Sequence, residues 1–224
     1  EVRFDMSLVT GLTNINVTDT SSELVEFYNM AAGTTVDVTT TNATATQVEV
    51  VLADATGTTD SQTFVVDAVD AGDNVKLTTL DIETLSISSG SANQVDLELS
   101  GVTMTGTKTA SVVFTGTNDI ELATTSAAIT TIDASGMGTG GAIVQTGRTG
   151  TDAATYTGSA GNDTFIMMNG ADVIDGGAGT GDTLDVNMTQ AVGTAIFDLS
   201  STTDQMTSFN GGANATVVKG FENL

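Results

Sequence analysis

Short runs of alternating apolar and polar residues fill the chain from residue 4 to about residue 146. Residues 48–52 read Val-Glu-Val-Val-Leu, and residues 95–99 read Val-Asp-Leu-Glu-Leu. This period of two is typical of half-buried strands, and turn-forming segments such as 70–74 and 116–119 separate the runs. The pattern therefore predicts many short strands and no long helix. Residues 22–29 fit either a short helix or a strand, because SELVEFYN satisfies both periods.

One seven-residue frame recurs among these runs: apolar, two polar, apolar, polar, apolar, polar. It occupies residues 12–18, 82–88 and 129–135, and residues 221–224 open a fourth copy. Such recurrence favours the stacked coils of a parallel β-solenoid. The copies are unevenly spaced, so we expect coils of different lengths. Chance similarity among strands rich in Thr and Ile is the alternative.

A second repeat, nine residues long, runs from Gly158 to Val186. Three consecutive copies follow the frame G-G-x-G-x-D-x-U-x, in which U is a large apolar residue. The aspartate and the U residue of the copies are, in order, Asp163 and Phe165, Asp172 and Ile174, Asp182 and Leu184. Two departures stand out, because Ser159 replaces the second glycine of the first copy and Gly181 is an extra residue in the third.

Calcium binding is the chemistry that this spacing predicts. Glycines allow positive φ, so a six-residue turn can curl and aim its carbonyl groups inward. The remaining three residues form a short strand whose U side chain points into the core. Calcium accepts six to eight oxygen ligands, which carbonyls and carboxylates supply.

Three such copies in phase resemble the calcium-binding β-roll of the RTX (repeats-in-toxin) family of secreted bacterial proteins. In that family two nonapeptides make one coil, which implies that the turn 158–163 stacks on the turn 176–182 and shares a calcium ion with it. The candidate ligands are Gly158, Ala160, Gly161, Asp163, Gly176, Ala178, Gly179 and Asp182.

The middle copy needs a partner on the opposite side of the coil, and residues 147–152 match the turn half of the frame. A second ion is predicted there between Asp152 and Asp172. Its candidate ligands are Gly147, Gly150, Asp152, Asn169, Gly170 and Asp172. Asp175 and Asp185, which follow U positions, are further candidates, and Arg148 is expected to pair with a neighbouring carboxylate. The alternative is a solenoid without ions, in which the stacked carboxylates would repel one another.

The charge balance narrows the choice of partners. With 28 acidic and 5 basic residues the formal net charge is −23, which excludes nucleic acid and anionic membranes as partners. Cysteine is absent, so metal or repetition has to replace disulfides as the source of stability. There is no apolar run long enough to span a membrane, so membrane insertion is not expected.

Catalysis is not expected. Without histidine or cysteine the chain cannot form the usual nucleophilic triads or imidazole zinc sites. A polysaccharide lyase on a β-helix is the most plausible enzyme, but it needs basic residues to abstract a proton and bind uronate. The five basic residues are scattered along the chain.

The sequence as a whole predicts an all-β protein: a parallel β-solenoid (β-helix) with an embedded RTX β-roll. Residues 1–146 form a Thr-rich solenoid, 147–186 the calcium β-roll, and 187–224 further solenoid strands, with strands at 196–199 and 215–218. We expect a fragment of a longer protein that is secreted to the bacterial surface.

The predicted function is structural: a calcium-dependent, self-assembling part of a surface layer or extracellular filament exported by type I secretion. An RTX adhesin stalk and the folding and secretion module of a secreted hydrolase are the alternatives. The expected partners are other copies of the chain, with cell-surface polysaccharide as a further candidate.

Overall fold

The chain forms a parallel β-solenoid of about eight turns, as the sequence predicts. The computed structural model describes residues 1–19, 22–41, 44–90, 93–150, 152–187, 194–209, 212–213 and 217–224. Thr151, Ala215 and Thr216, which fall in predicted turns or strands, lie outside these ranges. The described residues include no helix, and hence none long and apolar enough to cross a membrane.

Two nine-stranded sheets make up the walls of the solenoid. Within each sheet every strand pairs in parallel with the strand of the preceding coil, so the chain alternates between the sheets. Sheet 1 contains β1 (Val2–Asp5), β3 (Leu24–Met30), β5 (Thr46–Leu52), β7 (Asn74–Leu80), β9 (Val95–Thr103), β11 (Ile120–Thr125), β13 (Ile143–Gln145), β15 (Thr164–Met167) and β17 (Thr183–Val186). Sheet 2 contains β2 (Asn14–Asp19), β4 (Thr35–Thr40), β6 (Ser61–Ala68), β8 (Thr84–Ser89), β10 (Ala110–Gly116), β12 (Ile129–Met137), β14 (Thr155–Thr157), β16 (Val173–Asp175) and β21 (Val218–Lys219).

The core lies between the two sheets, and the period-two pattern places it there. In β5, Val48, Val50 and Leu52 are buried while the residues between them are partly exposed. Residues 22–29, which fitted either a helix or a strand, contribute to strand β3, in which Phe27 and Met30 enter this core.

The seven-residue frame marks equivalent strands. Residues 12–18, 82–88 and 129–135 contribute β2, β8 and β12, which all belong to sheet 2. The fourth copy is not equivalent to these three. Phe221 follows β21 at the opposite edge of the coil, where the chain returns to sheet 1.

The nonapeptides continue the same coil. Their strands β15, β16 and β17 alternate between the sheets, so two nonapeptides make one coil, and Phe165, Ile174 and Leu184 are fully buried.

The sequence predicts that the residues after Val186 continue the solenoid, but only part of this segment does so. Strands β18 (Ala195–Phe197), β19 (Met206–Phe209) and β20 (Gly212–Ala213) form a separate antiparallel sheet. Strand β21 then rejoins sheet 2 beside β16.

Candidate metal centre

The turns of the solenoid form two columns, one along each edge. Turns that lead from sheet 2 to sheet 1 make up the Asp182 edge, which includes residues 117–119, 138–142, 158–163, 176–182 and 220–222. Turns that lead from sheet 1 to sheet 2 make up the Arg148 edge, which includes residues 126–128, 146–154 and 168–172. The predicted ligands are therefore divided between the edges, as the two-nonapeptide coil requires.

The turn 158–163 stacks directly on the turn 176–182, as predicted. The Ala178 N–H donates to the Ser159 carbonyl over 2.9 Å, and the Thr183 N–H donates to the Asp163 carbonyl over 2.8 Å. Gly158 in turn donates its N–H to the Asp175 carbonyl, also over 2.8 Å. Backbone hydrogen bonds thus hold the two turns at the spacing of adjacent strands.

The turn glycines are needed for close backbone approach rather than for positive φ. A Cβ atom on Gly158 would lie 2.0 Å from the Gly176 carbonyl oxygen, and one on Gly179 would lie 2.2 Å from the Gly161 oxygen. Neither residue has positive φ; in this turn that conformation belongs to Gly177, at 102°. The carbonyl groups of each turn therefore face the neighbouring turn, as an ion between them would require.

The aspartates of the three nonapeptides occupy equivalent places and are all fully buried. Each accepts a backbone N–H from the preceding coil through its Oδ1 atom. The donors are Ile143 to Asp163 (2.6 Å), Ala154 to Asp172 (2.8 Å) and Asp163 to Asp182 (2.7 Å). The three carboxylates differ in what their other oxygen contacts.

Asp163 is satisfied from within its own turn by Ser159, the residue that departs from the glycine frame. The Asp163 Oδ2 atom accepts the Ser159 N–H over 2.7 Å and lies 2.9 Å from the Ser159 hydroxyl. That hydroxyl is also 2.7 Å from the Gly141 carbonyl and accepts the Gly161 N–H. Burial raises the pKa of Asp163, while the N–H groups of Ile143 and Ser159 favour its charged form.

Asp172 is satisfied by Arg148, which confirms the ion pair expected for this arginine. The Arg148 Nη1 atom lies 2.9 Å from Asp172 Oδ2, with side-chain exposures of 5% and 0%. The same oxygen accepts the N–H groups of Met168 and Asn169, both over 3.0 Å. Arg148 Nη2 also donates to the backbone carbonyl of Asp152, whose side chain is exposed. The Arg148 guanidinium therefore lies between the Asp172 carboxylate and the Asp152 backbone, where the sequence predicts a second ion.

Asp182 has no such partner. Its Oδ2 atom is buried and makes no hydrogen bond, and both carboxylate oxygens lie next to the backbone of Gly179. Burial is the main cause that raises the pKa of Asp182 to about 6, and the charges of Asp163, Glu222 and Asp175 act in the same direction. A buried carboxylate in this state is costly at neutral pH unless a cation compensates it.

The surroundings of Asp182 fit a calcium ion. Within the described residues no three His, Cys, Asp or Glu side chains gather as ligands of one metal, so backbone carbonyls would have to complete the shell. Gly161 and Gly176 direct their carbonyl oxygens at the adjoining turn. Calcium tolerates such an all-oxygen, flexible set of ligands, whereas zinc prefers the His and Cys ligands that this sequence lacks.

The other predicted residues take more peripheral places. Ala160 and Ala178 line a shallow groove of about 370 Å³ that runs over the outside of the turns. On the Arg148 edge, Gly147 lies against the Ala123 carbonyl and Gly150 has positive φ, while Gly170 is buried in the turn that precedes β16.

The carboxylates of Asp175 and Asp185 are not buried in the turns, although Asp175 Oδ1 accepts the Gly177 N–H over 3.2 Å. Asp175 pairs with Lys219 over 2.8 Å, and Asp185 is exposed.

Two further acids of the Asp182 edge had not been expected from the sequence. Glu222 Oε2 accepts the Asp182 N–H over 2.9 Å, and Asp119 Oδ1 accepts the Ala142 N–H over the same distance. Glu222 repeats the contact made by the nonapeptide aspartates, whereas Asp119 accepts its N–H group from the following coil instead of the preceding one. The signals were present, since Gly220-Phe-Glu222 imitates G-x-D and Asn118-Asp119 imitates Asn162-Asp163.

Comparisons of the chain with protein-family models, with curated proteins and with solved structures found no match.

Proposed function

We propose that this chain is a calcium-dependent structural segment of a bacterial surface layer or extracellular filament, with coils that resemble the RTX β-roll. Calcium binds on the Asp182 edge, between the turns 158–163 and 176–182. Its ligands are the Asp182 carboxylate and carbonyl groups of both turns. The ion supplies the positive charge that the buried carboxylate needs and joins one coil to the next.

The observation that carries this proposal is the buried, unpartnered Oδ2 atom of Asp182. A hydrogen bond or ion pair satisfies the equivalent oxygen in Asp163 and in Asp172. Leaving a buried acceptor without a partner costs about 1–3 kcal/mol, and more for a charged group. A bound cation removes that cost, and the surrounding carbonyl oxygens suit calcium.

A structural role is supported by the use that the fold makes of its basic residues. Each of the five pairs with a carboxylate of a neighbouring coil: Arg3 with Glu26, Lys76 with Glu98, Lys108 with Glu83, Arg148 with Asp172, and Lys219 with Asp175. A lyase would need basic groups gathered in one cleft to abstract a proton and bind an acidic sugar. Here they are distributed along the solenoid as links between coils.

Calcium dependence would couple folding to export. An ion that binds only the folded state stabilises it by mass action. Extracellular calcium modules bind with dissociation constants of roughly 10⁻⁴ to 10⁻³ M, so 10 mM calcium would add about 1.4 to 2.7 kcal/mol. In a cytosol with little free calcium this contribution is absent, and the chain would pass more readily through a secretion channel.

Two measurements on the purified chain test the two halves of the proposal. Circular dichroism during heating, with calcium or with EDTA, tests calcium dependence; a higher melting temperature with calcium but not with magnesium is expected, and identical melts would refute it. Negative-stain electron microscopy with calcium tests assembly, for which sheets or fibres are expected. Monomers at high protein concentration would contradict self-assembly and favour a stalk or module of a larger secreted protein.

A further inference from the structure

The two edges of the solenoid differ in their charged residues. In the sequence segments that form the turns of the Asp182 edge along the whole solenoid, every charged residue is acidic: Glu23, Asp70, Asp73, Asp119, Asp163, Asp182 and Glu222. Segments that connect sheet 1 to sheet 2 on the other edge include Lys108 and Arg148. Only one edge therefore carries cations of its own in its turns.

Lys108 is held much as a metal ion would be. Its Nζ atom lies 2.8 Å from the Gly57 carbonyl oxygen, 3.2 Å from the Ala55 oxygen and 3.0 Å from Glu83 Oε1. These groups belong to turns of the two preceding coils. An ammonium group surrounded by carbonyl and carboxylate oxygens joins successive turns on the Arg148 edge without a bound ion.

Arg148 does the same at Asp172, and its position in the sequence shows how. Residues 147–152 fit the turn half of the nonapeptide frame, with Arg148 at the second glycine. Ser159 stands at that same position in the copy that contains Asp163. Ser159 contacts the aspartate of its own copy, whereas Arg148 contacts Asp172 in the turn of the following coil, whose own copy has Met168 at the second position. The copy that contains Asp182 has Gly177 there, with no side chain to offer, and the Oδ2 atom of Asp182 makes no hydrogen bond.

We propose that Arg148, at the second position of the turn one coil before Asp172, is a built-in replacement for a bound cation. The turns of the Arg148 edge are then linked to one another without a metal ion, and only the Asp182 edge depends on calcium. The dependence of the Asp182 edge on calcium rests on the proposed function, whereas the role of Arg148 does not.

Hydrogen exchange followed by mass spectrometry on the whole chain can monitor each edge separately. In the wild type, EDTA should accelerate exchange at least ten-fold in peptides covering 158–163 and 176–183. Peptides covering 146–156 and 168–173 should change less than two-fold. If EDTA accelerates hydrogen exchange equally at both edges, the inference is wrong. If EDTA accelerates exchange at neither edge, the proposal that calcium binds at Asp182 is refuted, and the variants below still test the role of Arg148.

Arg148→Gly restores the glycine of the frame and removes the built-in cation. With EDTA this variant should exchange at least ten-fold faster at 168–173, and millimolar calcium should restore protection by binding at Asp172. Arg148→Lys keeps the charge and should remain protected with EDTA. Arg3→Gln, which removes one basic charge from a remote coil, is the control and should leave 168–173 unchanged. Unchanged exchange at 168–173 in Arg148→Gly, or no response of that variant to calcium, would overturn the role assigned to Arg148.

Discussion

Replacing Asp182 with asparagine isolates the cost of the unpartnered carboxylate. The substitution keeps the size of the side chain and an Oδ1 acceptor for the Asp163 N–H, but it removes the buried charge. In the absence of metal we therefore expect Asp182→Asn to make the protein more stable at pH 7, which is unusual for a change at a fully buried site. With calcium present the same change should remove the stabilisation by the ion.

The size of the expected gain in stability follows from the raised pKa of Asp182. A rise in pKa from the ordinary 3.8 to about 6 corresponds to about 3 kcal/mol at most. Screening by water at the turn reduces the expected gain to about 1–2 kcal/mol. The loss of bound calcium should cost the variant about 1.4 to 2.7 kcal/mol at 10 mM calcium, relative to the wild type. The order of stability of the two proteins should therefore approach equality or reverse when calcium is added.

Urea unfolding at pH 7, followed by circular dichroism, measures both effects, and hydrogen exchange at 176–183 reports the local change if the solenoid opens in parts. Asp185→Asn is the matched control, because it removes the same charge three residues away from an exposed position. It should shift stability by less than about 0.5 kcal/mol. The reasoning is refuted if Asp182→Asn lowers stability with EDTA, or if both variants respond to calcium as the wild type does.

Two further predictions concern pH and packing. Because the pKa of Asp182 is raised in the folded state, the metal-free protein should become more stable as the pH falls from 7 through 6 towards 4, whereas Asp182→Asn should gain less; equal gains would assign the effect to the general acidity of the chain. Calcium affinity should fall over the same range, as calorimetry at pH 7.5 and 5 can show. Gly158→Ala should lower stability by about 1–3 kcal/mol with or without calcium, since its Cβ would meet the Gly176 carbonyl oxygen at 2.0 Å. Gly181→Ala, which meets only the Asn162 side chain, is the control and should be close to neutral in thermal melts; similar losses in both variants would contradict the packing argument.

The fold could be predicted from the sequence because a solenoid repeats one local rule. Alternation buries every second side chain, and Phe165, Ile174 and Leu184 enter the core as the nonapeptide frame requires. The stacking of the turns 158–163 and 176–182 was implied by the resemblance to the RTX β-roll, in which two nonapeptides make one coil. Irregular coils were harder to place, because their lengths differ and the residues after Val186 leave the frame to form an antiparallel sheet.

The partners of the buried aspartates could not be read from the frame alone. The spacing places Asp163, Asp172 and Asp182 alike, yet Ser159 and Arg148 decide whether an acceptor remains unsatisfied. The side chain of Arg148 spans from one coil to the next, and a repeat pattern within one chain segment does not show which carboxylate it will reach. Ser159 and Arg148, which stand in place of the second glycine of the frame, are therefore the most informative positions in the site.

Calcium titration calorimetry on three proteins at pH 7.5 tests the central claim most directly: the wild type, Asp182→Asn and Asp185→Asn. The account predicts that the wild type and Asp185→Asn bind calcium with the same stoichiometry, and that Asp182→Asn loses one site. Equal binding in all three proteins would contradict the assignment of the ion to the Asp182 edge.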